Sequence, residues 1–169
     1  EPLRGEEPAH GFLERVRELA SKSGAVMIFD EITSAFRLNT GGVHLLYGVD
    51  PDIAVFAKAI SNGYPMGAII GSGKVMKAAQ STFISSTYWT ERIGPTAALA
   101  TISKHRQFDV SKHLMATGKK IQEIWKCSAN KADIKIHISG ILPLSSFSFD
   151  YPSGQAMMTL FTQMMLERG

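Results

Sequence analysis

Cysteine is almost missing. Cys127 is the only one in 169 residues, so no internal disulfide can form, and no Cys/His spacing resembles a zinc site. A reducing, cytoplasmic setting follows as the expectation. No apolar run approaches the roughly 20 residues that cross a bilayer as a helix, which argues against a membrane partner. The opening residues, Glu1-Pro2-Leu3-Arg4-Gly5-Glu6-Glu7, lack the apolar core of a secretory signal. Repeats and low-complexity tracts are also missing. Charge of one sign is scarce too: 18 Lys+Arg against 15 Asp+Glu leave a net charge of +3. The basic excess collects between Lys104 and Lys135, where a predicted helix has a solvated basic face. Aromatic interleaving and groove-reading motifs are lacking, so no nucleic-acid partner is expected.

What the chain does have is apolar material, 44% of its residues, enough to offset the entropy of ordering a globular fold. The spacing predicts a helix over 10–23, with Phe12, Leu13, Val16 and Leu19 on one side, ended by Gly24 in the left-handed conformation. Residues 25–29, Ala-Val-Met-Ile-Phe, form a continuous apolar run without alternation. That is the mark of a strand covered on both faces, as in parallel sheets flanked by helices. A second such strand is predicted over 52–56 and a third over 68–71, after a turn at Gly63, Pro65 and Gly67. Helices are predicted at 74–80, 94–105 and 110–126 and strands at 134–139 and 145–149. Ser153 is a candidate cap for a last helix ending at Arg168. Alternating strands and helices through the first hundred residues indicate an α/β domain. The expected division is 1–108 for that domain and 109–169 for a linking helix and a second unit.

Two chemically suggestive residues fall at the C-terminal ends of predicted strands, where open α/β sheets place their ligands. Asp30 ends the first strand and Lys58 follows the second. A carboxylate there can pair with a cationic ring nitrogen. A lysine there can become a nucleophile toward an aldehyde. Together they could serve as the two poles of a pyridoxal phosphate site. Taken singly, each has a plainer explanation: Asp30-Glu31 as a capping or salt-bridging pair, Lys58 as a solvated side chain. An ATPase reading of the strand ending in Asp30-Glu31 needs a phosphate loop upstream. The only candidate, Gly71-Ser72-Gly73-Lys74, lies downstream, with Val75 where Ser or Thr belongs. No Gly-x-Ser-x-Gly elbow supports a serine hydrolase. The five histidines are too scattered to be a ligand set, and most read as surface or cap residues. The methionines at 157, 158, 164 and 165 read as core or interface.

Three blocks resemble the class III pyridoxal-phosphate aminotransferases, and most closely their glutamate-1-semialdehyde aminomutase-like branch. They are VMIFDEITSAFR (26–37), PDIAVFAKAISNGYPMGAIIG (51–71) and SSTYWTERIGPTAALAT (85–101). The second is highly specific, and a weaker similarity runs through nearly the whole chain.

The resemblance implies a fold-type-I α/β enzyme: part of the large, mostly parallel sheet domain plus the start of a small α+β C-terminal domain. It implies transfer of an amino group, as an aminotransferase or an intramolecular aminomutase, on pyridoxal 5'-phosphate. By the same resemblance Lys58 is the Schiff-base lysine and Asp30 the partner of the pyridine nitrogen. Ile32, two residues on and expected on the same side as Asp30, resembles the branched residue that packs on one ring face. Thr90 matches a threonine that reaches the phosphate of the cofactor held mainly by the neighbouring subunit, with Thr87 as the alternative. A homodimer and small-molecule amino donors and acceptors are therefore implied partners. Glu91-Arg92-Ile93-Gly94 departs from the family's small-residue loop, and for Arg92 a surface ion pair with Glu91 or another acid is expected over contact with a substrate carboxylate. The family's phosphate cup and stacking aromatic belong to a segment N-terminal to this region. The alternative to an active enzyme is thus a catalytically incompetent fragment or dimerisation module.

Overall fold

The computed structural model describes residues 6–169; residues 1–5, at the head of the expected first domain, lie outside the described residues. Helix α1 runs Phe12–Ser23 and stops at Gly24, whose φ of 70° turns its amide onto the Ala20 and Ser21 carbonyls. Its half-buried stripe is Leu13, Val16, Arg17 and Ala20, while Phe12 and Leu19 stay exposed. The stripe is rotated from the one expected because Arg17 turns inward, its Nη1 donating to Asp52 Oδ2 at 2.7 Å.

Three strands follow, β1 (Ile28–Asp30), β2 (Ile53–Phe56) and β3 (Ala68–Gly71), in that spatial order. β1 and β2 are parallel, with Ile28 opposite Ile53 and Asp30 opposite Val55. Parallel pairing demands a long crossover; residues 31–52 supply it, including the one-turn helix α2 (His44–Tyr47). β3 pairs antiparallel to β2, because only a 3-10 turn (Lys58–Ser61) and a short reversal separate them. Asn62 and Gly63 make that reversal at φ 49° and 104°.

Along β2, Ala54 and Phe56 alternate inward. They form the core with Ala35, Phe36, Ile60 and Ala98, flanked by Met66, Ala68 and Ile102. Ala98 and Ile102 belong to α4 (Ile93–Gln107), which packs on the Lys58–Ser61 turn. The expected coverage on both faces of the first strand is not found. Ile28 is 57% exposed and Val26 48%, because the core residues of this unit gather on the opposite face, where Phe29 meets His44 edge-on at 5.9 Å. The helix expected over 74–80 is split into α3 (Gly73–Met76) and a 3-10 turn (Lys77–Ser81). Neither piece buries a residue, and a short helix without a packed face tightens readily into 3-10 geometry.

Residues 7–113 make one compact unit and 114–169 a second; helix α5 is continuous over Val110–Lys131. In the second unit β4 (Ile136–Ser139) and β5 (Ser146–Phe149) form an antiparallel pair. Alternation turns Ile136, Ile138, Phe147 and Phe149 to one face. Phe147 contacts Trp125 of α5 at 5.1 Å and Phe161 of α6 (Gly154–Arg168) at 5.5 Å. Ser153 precedes α6 but makes no side-chain cap bond, so the expected cap is not formed. The described residues include no helix long and apolar enough to cross a membrane.

Gly118 lies inside α5, yet a methyl group there would stand 2.0 Å from the Leu142 carbonyl oxygen. In a free helix Gly→Ala stabilises by about 1 kcal/mol. Here the clash reverses the sign: Gly118→Ala destabilises the chain by about 1–3 kcal/mol, the usual cost of overpacking. Urea unfolding of the two proteins checks this; an unchanged or higher midpoint contradicts the close approach.

Candidate active site

The parallel register places two strand ends side by side. Asp30 ends β1 opposite Val55, and Lys58 comes three positions after Val55, at the start of the 3-10 turn. Both side chains are exposed. Lys58 adopts φ 52°, a left-handed backbone uncommon outside glycine, and its Nζ donates to Thr33 Oγ1. Thr33 lies in the turn directly after β1, so this bond ties the end of β2 to the end of β1. No sequence signal marked Thr33: a threonine in a turn has many roles.

β1 stops at Asp30 and a turn begins at Ile32, so strand alternation does not extend to Ile32. Ile32 is held to Asp30 by its amide, which donates to Asp30 Oδ1 at 3.0 Å. The fold thus brings Asp30, Ile32 and Lys58 together with Thr33. Thr90 is elsewhere, in an exposed turn over residues 87–90, and no hydrogen bond joins it to that group among the described residues. Thr87 shares this turn.

Beneath the site, Glu31 is buried at 2% exposure. Its Oε2 accepts from the Ser34 hydroxyl at 2.5 Å, and its Oε1 accepts from the His44 amide at 2.9 Å and from His44 Nδ1 at 3.0 Å. Burial by itself pushes the Glu31 carboxyl up. The hydrogen bonds from Ser34, from the Val43 and His44 backbone and from the His44 ring outweigh it, and the group is held below its ordinary value. Gly42 is required beside this cluster, since a Cβ there would stand 2.4 Å from His44 Nδ1 and 2.9 Å from Glu31 Oε1. The capping explanation weighed for Asp30-Glu31 therefore holds for Glu31.

His105 is an exception to the surface or cap reading of most histidines and is buried at 4% exposure. Its Nε2 donates to the Phe36 carbonyl at 2.9 Å, and its Nδ1 pairs with the Thr40 hydroxyl at 2.7 Å. It was unreadable in the sequence because both partners are some 65 or more residues away in the chain. The surface ion pair expected for Arg92, with Glu91 or another acid, is not found among the described residues. The Glu91 carboxylate instead takes the Ile93 and Gly94 amides at 2.6 and 2.7 Å, capping the otherwise unsatisfied first turn of α4. No group of three or more metal-ligating side chains occurs among the described residues. A concavity of about 540 Å³ beside Lys126, Asn130, Asp133 and Asp150 in the second unit is open to solvent and brings no lysine amine beside a strand-end carboxylate of a parallel pair.

Because Glu31 is depressed below its ordinary 4.5, its ionised form adds stability that is complete above that pH and lost as pH falls through the folded-state value. Glu31→Gln lowers stability at pH 7 by about 2 kcal/mol, the scale of losing hydrogen bonds to a buried charge. The gap between the two proteins narrows below pH 4.5. Thermal melts across pH 3–7 (about four points) read it; a gap independent of pH contradicts the assignment.

Comparison with known proteins places this arrangement in a family. The aminotransferase class-III family matches residues 1–143. A 3-aminobutyryl-CoA aminotransferase of Cloacimonas acidaminovorans is 34% identical over 146 residues, covering 85% of this chain and 35% of that protein. A glutamate-1-semialdehyde 2,1-aminomutase of Pelotomaculum thermopropionicum is 31% identical over 175 aligned positions, covering 96% of this chain and 40% of its own. The chain thus spans well under half the length of these curated relatives. The FumI protein of Sphingopyxis sp. MTA144, solved in its PLP internal aldimine form, superposes with a TM-score of 0.77 over 84% of this chain and 34% of its own. At 22% identity that likeness is one of fold, the α/β architecture of fold type I. With most of its length matched and its strand ends arranged as described, the chain belongs to the aminotransferase class-III family.

Proposed function

We propose that this chain carries the lysine half of a pyridoxal 5'-phosphate site that transfers an amino group, between two small molecules or within one. The observation that carries the reading is the parallel β1–β2 register, which sets Asp30 and Lys58 on neighbouring strand ends. The donor set fits the group: an amine for its aldehyde, a carboxylate for its ring nitrogen and an apolar side chain for its ring face. Pyridoxal phosphate, when bound, supplies an electrophilic carbon and an electron-accepting ring. Lys58 would hold that carbon through its amine, and when not so engaged the same amine would act as the general base and acid that moves the substrate's proton. Asp30 keeps the ring nitrogen protonated, and Ile32 packs against the ring. Thr90, or Thr87 in the same turn, donates to the phosphate held by a neighbouring subunit, which makes the working form a homodimer. Residues 1–108 are assigned to the large domain and 109–169 to the linking helix and small domain, in a cytoplasmic enzyme.

A second reading, a non-catalytic or dimerisation piece, is favoured by apolar exposure in the first unit: Phe83 95%, Leu99 72%, Ile69 61% and Trp89 62%. Surface of this kind promotes association. A visible spectrum with pyridoxal phosphate, borohydride reduction and peptide mapping separate the two readings. A reduced adduct concentrated on Lys58, lost in Lys58→Ala, supports the catalytic reading; labelling spread over surface lysines overturns it in favour of the second.

Asp30→Ala keeps the adduct but weakens cofactor binding about tenfold or more, the loss of one charge-assisted hydrogen bond. Spectral titration measures it, and an unchanged Kd removes Asp30 from the ring nitrogen.

A further inference from the structure

Lys58 is exposed, and an exposed lysine ordinarily samples many rotamers. Here its backbone is pinned. Ile60 and Ser61 are buried at 4% and 1% exposure, the Ser61 hydroxyl donates to the Tyr64 carbonyl at 2.5 Å, and Lys58 itself sits at φ 52°. A non-glycine residue in that region is strained, and surrounding contacts must hold it there. Its amine ends on Thr33 Oγ1, whose own segment is tied down by hydrogen bonds. The Thr33 carbonyl accepts from Arg37 Nε at 2.7 Å, the Ala35 amide donates to the Glu31 carbonyl at 3.0 Å, and the neighbouring Ser34 hydroxyl is bound to buried Glu31.

The chemistry of the partner matters as much as its place. Lys22 also has a held amine, but its partner is the Glu18 carboxylate, which only accepts. A hydroxyl both donates and accepts. It can hold the amine as an ammonium by accepting, and as a neutral amine by donating, and can be left without breaking an ion pair. A group that must lose and regain a proton in one position needs a partner of this kind.

We propose that Thr33 is the positioning residue of Lys58: its hydroxyl holds the amine at the strand ends before anything binds. This rests on the reading of Lys58 given under Proposed function. Thr33→Val keeps the shape and removes the hydroxyl; Thr33→Ser keeps the hydroxyl. The first probe is acetic anhydride at limiting concentration, with Lys58 labelling mapped relative to Lys119 and Lys120, both exposed on α5. In Thr33→Val the freed amine labels about fivefold faster relative to those references, the ratio expected for one exposed hydrogen bond, and Thr33→Ser restores the wild-type ratio. The second probe is pyridoxal phosphate with borohydride: the share of adduct on Lys58 falls in the valine variant and recovers in the serine variant. An unchanged anhydride ratio in Thr33→Val overturns the proposal, as does a serine variant that behaves like the valine one. An anhydride shift with no preferred pyridoxal phosphate adduct even in the wild type supports the Thr33 contact and counts against the proposed function alone.

Discussion

The site rests on one buried carboxylate. Glu31 follows the strand that ends in Asp30, and through Ser34, Val43 and His44 it closes a loop that would otherwise be a long, unanchored crossover. Parallel pairing of β1 and β2 requires such a crossover, and the crossover carries Ile32 and Thr33. An ionised group at 2% exposure is tolerable only when hydrogen bonds replace its hydration. The same bonds that satisfy Glu31 therefore give the loop its shape.

Two further polar junctions hold the rest of this unit. Asp52 accepts from Arg17 of α1 and from the Met27 amide at the head of β1. Those two bonds hold its carboxyl below the ordinary range, the Met27 amide contributing most. Its backbone carbonyl accepts the Ser72 amide beyond β3, so one residue ties α1 to all three strands. His105 joins α4 to the crossover loop through Phe36 and Thr40, and the Phe36 ring meets both Phe56 and His105 edge-on. Polar contacts set the positions of these elements, while Ala54, Phe56, Ile60 and Ala98 supply the apolar contact between them.

Much of this was legible locally. The end of α1 at Gly24, the three strands of the first unit and the β4–β5 pair follow from periodicity and turn residues within a few positions. Asp30 and Lys58 stood out because each follows an apolar run. Departures came where a residue's partner lies far along the chain. Arg17 is drawn inward by Asp52, 35 residues further along the chain. His105 carried no local mark of burial, and only the Phe36 carbonyl and the Thr40 hydroxyl, far along the chain, enclose it. Glu91 is a local exception: its carboxylate takes the open Ile93 and Gly94 amides at the start of α4, two and three residues on.

Taken alone, the sequence determined the element order, the family and the two strand-end groups, because hydrophobic period, glycine placement and residue spacing within a motif are short-range properties of a chain. Only the tertiary structure decided that the strand ending in Asp30 lies parallel beside the one that Lys58 follows, that Glu31 is buried and supports the loop, and that Thr33 receives the Lys58 amine. Those facts depend on strand register and crossover path, which bring residues 25 positions apart into hydrogen-bonding range. No local spacing encodes a contact that exists only after the strands have paired.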